Sequence, residues 1–420
     1  MLVPILIHLQ EKARNFLRSD QTLHTAGIVC EYNPFHKGHL YQLKETKRRL
    51  GEEATVVCVM SGDFVQRGEA AIFDKFARAE AACRCGADLV VELPLPWCLS
   101  SAEGFASGAV SILAALGCDT LSFGSENADV NALSSLAAFT LDASAQDRIR
   151  TFQNADASMP FARARQLAAE EIFGEKAKML SEPNEILAIE YLKALHKLGK
   201  EMQPLAIPRI GAGHDSAAEG EYLSGMRLRE MVRKKEDPST HIPIPAMEIF
   251  EAEIKAGRMR DEKLLETALL SRLYQLGPDN FDRLPDAGGG AGRRLYHALW
   301  ESAGLEETVS RAVSKRYTAS RMRRMLLCAA IGICAEDTKG TPPYIRSLAF
   351  SAKGRELLAQ VRGNTDLPVI NKAGEIKKLG FQAEKVFNIT AHAHELYRLS
   401  CASDEKRKPG EDWRKKQAIV

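Results

Sequence analysis

"GIVCEYNPFHKGHLYQLKET", residues 27–46, decides the fold. A short apolar run at 26–30 passes through an Asn-Pro turn into a helical pattern over 38–50, so a strand hands over to a helix. Working outward, apolar runs recur at 55–60, 88–93 and 120–123. Their starts lie about thirty residues apart, the length of a βαβ unit. Near-continuous runs such as "ATVVCVM" and "ADLVVELP" suit strands covered on both faces. Helical patterns at 73–85 and 102–116 separate them, and a helical stretch over 130–198 leads to a last run, "MQPLAIPRI". The alternation predicts an α/β, Rossmann-like domain with a parallel sheet and right-handed crossovers.

In such a sheet, ligands bind beyond the carboxyl ends of the strands, where "EYNPFHKGHL" falls. Backbone N–H groups at a helix N-terminus favour an anion. His36 and His39 add donors for phosphate oxygens, strongest when protonated. Gly38 removes a side chain that would hold a nucleotide off the backbone, and Pro34 stiffens the turn. The stretch suits a polyphosphate undergoing in-line displacement at phosphorus. An isolated H-x-x-H would as readily cap a helix or pack in a core; the strand before it and the N-P-F lead favour phosphate.

After residue 235 the character changes. "KKEDPSTHIPIPAM" reads as a linker, and 236–420 is mainly α-helical in pattern, with short strand signals at "PPYIRSLAF" and "LPVINK" and a charged tail. Residues 1–25 form an N-terminal extension without a basic leader or small-residue cleavage site, expected to be dispensable for activity. Lys+Arg 57 against Asp+Glu 55 gives +2, so attraction for nucleic acid must be local. Nine cysteines without C-x-x-C or Cys/His ligand spacing predict reduced thiols in a cytoplasmic protein, with no disulfide frame and no metal site. No apolar run approaches the roughly 20 residues that span a bilayer.

One local basic excess stands out. "RAVSKRYTASRMRRMLL" carries Arg311, Lys315, Arg316, Arg321, Arg323 and Arg324 around an apolar stripe of Met322, Met325 and Leu326, with Tyr317 available for stacking. A solvated helix face would look similar; the near-neutral total charge favours RNA contact by Lys315, Arg316, Arg321, Arg323 and Arg324.

"NPFHKGH" resembles the (H/T)xGH signature of the nucleotidylyltransferase superfamily. With "VMSGDFVQRGEAAIFDKFARAEAA", "GADLVVELP", "FGSEN", "PNEILAIEYLKAL", "PRIGAGHDS", "YLSGMRLRE" and "YIRSLAFSAKGRELL", roughly residues 26–360 resemble the tRNA(Met) cytidine acetate ligases. The resemblance implies that ATP and acetate give acetyl-adenylate and pyrophosphate. The acetyl group then passes to N4 of the wobble cytidine of elongator tRNA(Met), giving N4-acetylcytidine. Residues 26–235 would be the nucleotidylyltransferase-like ATP-binding domain and 236–420 the tRNA-binding domain. The family's ATP-binding segment falls on Gly27, Ile28, Val29, Cys30, Glu31, Tyr32, Asn33, Pro34, Phe35, His36, Lys37, Gly38, His39 and Leu40, with Asn33, His36 and His39 carrying the chemistry. Further nucleotide contacts fall on Gly124, Asn184 and Arg209, and the Ser-x-x-x-x-Arg signature on Ser224 and Arg229.

On their own, Gly124 reads equally as a turn glycine, Asn184 as a helix N-cap and Arg209 as a solvated arginine. Ser61, Gly62, Gln66, Arg67, Lys75 and Arg78 stand on the same rim and are candidates for an acetate or cytidine pocket. Magnesium is expected with ATP, held by phosphates and water, since no carboxylate cluster shows. The resemblance implies acetate and elongator tRNA(Met) as partners, with no obligate protein partner evident. Three departures from the family pattern are the 1–24 leader, "RGEAA" for "RGEPA", and "DAGGGAGRRLYHAL" for an acidic, Asn-bearing stretch. The third touches RNA selection. Two other readings remain open: a nucleotidylyltransferase acting on a phosphorylated metabolite, and a non-catalytic RNA-binding protein. Acetate-dependent pyrophosphate exchange separates them from the ligase.

Overall fold

The computed structural model describes residues 24–156, 159–199, 201–210 and 222–420. The leader through residue 23 and all of "GAGHDS" lie outside the described residues. Five parallel strands form the heart of the sheet: β1 (Thr25–Cys30), β2 (Thr55–Ser61), β5 (Leu89–Leu93), β6 (Thr120–Ser125) and β7 (Gln203–Pro208), in the order β5-β2-β1-β6-β7. Between β2 and β5 a small antiparallel hairpin, β3 (Phe64–Val65) and β4 (Glu69–Ala70), stands apart from the sheet. Ile28 of β1 lies opposite Cys58 on one side and Ser122 on the other. Helices cover both faces, as the unbroken apolar runs require. Val57, Val59, Leu89 and Val91 face one core, and Ile28, Val56, Cys58 and Met60 the other.

Residues 236–420, expected as a separate helical domain, also build the sheet. β8 (Ile345–Phe350) pairs antiparallel with β5, and β9 (Val369–Ile370) and β10 (Ala418–Ile419) pair parallel with β8. An exposed β5 edge would leave a row of backbone groups unpaired, and these strands cover it. The end of the expected linker, "IPAM", opens the helix Ile244–Lys255, whose Phe250 stacks on Phe73 at 4.4 Å.

A buried ion cluster joins the two halves. The Lys75 ammonium lies 2.8 Å from Glu92 and 2.7 Å from Asp412, and Arg346 reaches the same two carboxylates at 3.1 and 2.9 Å. His394 adds a 2.8 Å contact to Asp63. Arg78, also buried, donates to the carbonyls of Phe73, Glu31, Ser61 and Gly62, tying the ends of β1 and β2 together. Lys75 and Arg78, candidates for a substrate pocket, are therefore fully enclosed structural cations. All nine cysteines are free thiols. Among the described residues, no helix is long and apolar enough to cross a membrane.

Candidate nucleotide site

Sequence order in the sheet reverses direction between β1 and β6, so their carboxyl ends flank a crevice at the topological switch point. The 27–40 segment enters it from β1. Gly27, Ile28 and Cys30 are buried within the strand, and a Cβ at Gly27 would strike Leu113 at 2.6 Å; these residues shape the site from behind. Tyr32 turns the chain with φ +46°, its hydroxyl 3.3 Å from the Cys58 thiol. Asn33 is buried, its Oδ1 accepting from the Ile72 N–H at 2.9 Å, and its Nδ2 has no partner among the described residues. Pro34 and Phe35 are buried, and the Phe35 ring packs on Tyr32 and His39. Glu31, Lys37, Gly38 and Leu40 are half-buried around the turn.

His36 caps the helix Lys37–Leu50: its Nδ1 accepts the Gly38 N–H at 3.1 Å, while the His36 N–H reaches Nδ1 of His39 at 3.3 Å. The two rings stack with centroids 3.7 Å apart. Withdrawal from water, with Arg209 and Arg229 nearby, lowers the His36 pKa to about 3; burial, then His36 and Arg209, hold His39 well below its ordinary value. Both rings are therefore neutral without ligand. Because each Nδ1 accepts a backbone N–H, each proton sits on Nε2, which leaves two N–H donors for an incoming phosphate.

A second helix end converges on this turn. Ser224 caps the helix Gly225–Arg233, its Oγ accepting the Arg227 N–H. A Cβ at Gly225 would come within 3.2 Å of the Asn33 carbonyl and 4.0 Å of His36 Nε2, so glycine permits the close approach. Arg229 donates to the Asn33 carbonyl at 2.9 Å and to Glu69 at 3.2 Å.

Across the crevice, Gly124, the penultimate residue of β6, lies beneath Arg209, with 3.6 Å from its would-be Cβ to the arginine chain. Glu126 gathers the remaining candidates: Asn184 donates to it, and the Arg209 guanidinium lies 3.7 Å away. Asn184 does not cap its helix, Pro183–Leu198, whose N-cap is Glu182. Sequence reasoning missed Glu126, Gly225 and Glu69; Glu126 stands inside "FGSEN", but nothing local announces its partners.

Glu126, Glu182 and Glu185 also lie close enough to share a cation, a group the spacing did not reveal. Their oxygens already accept from Asn184, Asn127 and Ser125, and Arg209 stands beside Glu126. That donor set is built for hydrogen bonding and does not fit a magnesium ion.

The basic segment splits into the helices Leu305–Ala312 and Ala319–Ile331, with the Met322, Met325 and Leu326 stripe buried as expected. Arg321 donates to the carbonyls of Asp286 and Gly288, Arg323 pairs with Glu306 at 2.7 Å, and Arg324 is buried beside Asp286. The glycine-rich stretch is thus the acceptor for Arg321 and Arg324, and Tyr317 donates to Gly289. Lys315 and Arg316 lie on the exposed connecting turn.

A doubly wound sheet with an H-x-G-H helix cap at its switch point defines a nucleotidyl transferase, and a family described as HIGH Nucleotidyl Transferase matches residues 23–412. The tRNA(Met) cytidine acetate ligase of Thermoanaerobacter sp. (strain X514) is 37% identical over 384 residues, covering 89% of this chain and 94% of that protein. The protein of the same description from Acetivibrio thermocellus is 32% identical over 408 residues, 92% and 97% of the two chains. The chain belongs to the tRNA(Met) cytidine acetate ligase family. Crystal structures of Thermotoga maritima TmcAL superpose with TM-scores of 0.89 for the apo protein and 0.87 for the protein bound with alpha-thio ATP, at 29% and 30% identity, covering 94% of this chain and 99% of each of those.

Proposed function

We propose that this chain is an ATP-dependent acetate ligase acting on elongator tRNA(Met). Acetate attacks the α-phosphorus of ATP, pyrophosphate leaves, and the acetyl-adenylate delivers its acetyl group to N4 of the wobble cytidine, giving N4-acetylcytidine. The observation that carries this reading is the stacked His36–His39 pair, two neutral N–H donors facing the end of the Gly225–Arg233 helix. In this reading His36 and His39 donate to the triphosphate, and Arg209 and Arg229 balance its charge. Gly38 and Gly225 let it approach the two helix ends, while Gly124 and Asn184 flank the adenosine. Asn33 holds the turn through its carboxamide. Burial keeps both imidazoles neutral, with the nearby arginines adding to it; arriving negative charge offsets the arginine part, and the hydrogen bonds strengthen in step with charge on the leaving pyrophosphate.

Magnesium would enter with ATP, held by phosphate oxygens and water, with no carboxylate cage required. A cytoplasmic location fits a tRNA substrate and nine free thiols. Incubation with labelled acetate, ATP and total tRNA, followed by nucleoside analysis, tests the proposal. Label in N4-acetylcytidine is the expected result, and label absent from nucleosides despite acetate-dependent pyrophosphate exchange would refute the acceptor.

A further inference from the structure

Between the β3–β4 hairpin and the helices Glu262–Leu273, Leu305–Ala312 and Ala319–Ile331 lies a cavity of about 560 Å³. Its size falls in the range of about 300–1,000 Å³ typical of sites for small organic groups. Leu265 and Leu269 contribute an apolar floor, and Arg233, Arg260, Arg323 and Glu69 stand in its walls. The Arg260 side chain is only 9% exposed, and its Nε–H has no acceptor among the described residues. Burying an unpaired guanidinium N–H is costly, and the same guanidinium donates from Nη2 to the half-exposed Glu262 at 3.3 Å, so an acceptor entering the cavity would compete with that carboxylate and satisfy the buried N–H. Arg233 and Arg323 are held by Glu262 and Glu306, whose side chains are 53% and 78% exposed. Such pairs are weak and exchange readily for a phosphate.

The cavity communicates with the nucleotide site through one helix and one strand. Gly225, Arg229 and Arg233 lie on one face of the Gly225–Arg233 helix, a turn apart. Gly225 abuts His36, Arg229 binds both the Asn33 carbonyl and Glu69, and Arg233 lines the cavity. The distance from first to last is about 12 Å at 1.5 Å rise per residue. Ile72, just beyond β4, donates its N–H to Asn33 and accepts from the N–H of Arg260. Glu69 is shared: it faces the cavity while paired to the arginine that grips the H-x-G-H turn.

We propose that this cavity receives the acceptor nucleotide of the RNA, with its phosphodiester at Arg260 and Arg323, its base on the leucine floor, and its exocyclic amine at Glu69. The inference rests on the function proposed above. A carboxylate accepts from the N4 amine of cytosine and repels the O4 carbonyl oxygen of uracil, so Glu69 would also select the base. In the transfer step the amine nitrogen bonds to the acetyl carbon, the carbon–oxygen bond to phosphate breaks, and AMP leaves with that electron pair. The amine proton passes to the Glu69 carboxylate.

The test uses the full chain and its Arg260→Met, Leu305→Trp and Glu69→Gln variants, with transcripts of elongator tRNA(Met) bearing cytidine or uridine at the wobble position. Arg260→Met, and Leu305→Trp by filling the cavity, should reduce acetyl transfer by about 10- to 100-fold, the range for one charge-assisted hydrogen bond, with a raised KM for tRNA. Acetate-dependent pyrophosphate exchange should persist in both. Glu69→Gln should narrow the binding preference for the cytidine transcript, a ratio that a merely structural carboxylate would not move. Transfer unchanged in the first two variants, or exchange falling in step with transfer in both, overturns the assignment of the cavity; an unaltered cytidine preference overturns that of Glu69. A wild-type chain lacking acetate-dependent exchange overturns the underlying function, and this inference with it.

Discussion

His36 and His39 stack at 3.7 Å with an interplanar angle of 28°, and each gives its Nδ1 to a backbone N–H. The pair is thereby fixed in one tautomer before any ligand arrives. Replacing either by alanine should lower acetate-dependent pyrophosphate exchange by about 10²–10³, the effect of removing one preorganised donor to developing charge. Rapid-quench exchange assays measure it, and wild-type rates in both variants would remove these rings from the chemistry.

The lowered pKa of His36, about 3 against 6.5, makes a prediction about acid stability. Between those values the unfolded chain binds more protons than the folded one, so stability rises with pH. The contribution is complete above about pH 6.5 and is lost as pH falls towards 3. His36→Asn should therefore flatten the dependence of the urea midpoint on pH between 7 and 4.5. An equally steep dependence in the variant would contradict a neutral, desolvated ring.

Arg209 offers a fork-shaped cation above Gly124 and beside Glu126. Arg209→Lys retains the charge and loses the fork, so the KM for ATP should rise by about 10-fold while tRNA binding is unaffected. Steady-state exchange kinetics with varied ATP, alongside filter binding of tRNA, check both halves of that statement.

For RNA, the exposed turn is the informative place. Lys315→Ser and Arg316→Ser should each weaken tRNA binding and reduce the slope of log K against log salt by about 1. Arg324 is buried beside Asp286, so Arg324→Gln should lower thermal stability and leave that slope alone. Binding titrations at several salt concentrations, paired with melting curves, distinguish the two kinds of arginine.

Asp412 lies between Lys75 and Arg346, all three buried. Asp412→Asn leaves two buried cations to share the Glu92 carboxylate and should destabilise the fold by about 3–5 kcal/mol. Chemical denaturation measures this, and high salt should change it little because the pairs are shielded from solvent.

The five parallel strands and the helix cap were legible because their signals are local: continuous apolar runs, an Asn-Pro turn, and two histidines a helical turn apart. The likeness to one enzyme family added Gly124, Asn184, Arg209 and Arg229, which Glu126 and Asn33 hold in place. What stayed hidden depends on distance along the chain. Lys75 looks like a surface lysine until Asp412 reaches it, and β10 has two residues and no pattern of its own. The arginines of the basic segment read as an RNA face because the groups that hold them are not their neighbours in sequence: the Asp286 and Gly288 carbonyls for Arg321, and the Glu306 and Asp286 carboxylates for Arg323 and Arg324.

The position of Asp412 bears on how the molecule is born. A nascent chain extends past residue 400 before Lys75 and Arg346 can meet this acid, and β10 emerges later still. Until then Lys75 and Arg346 share the Glu92 carboxylate without it, and β8 lacks its β10 neighbour. This charge cluster therefore closes only after the strands β1 to β8 have all been made.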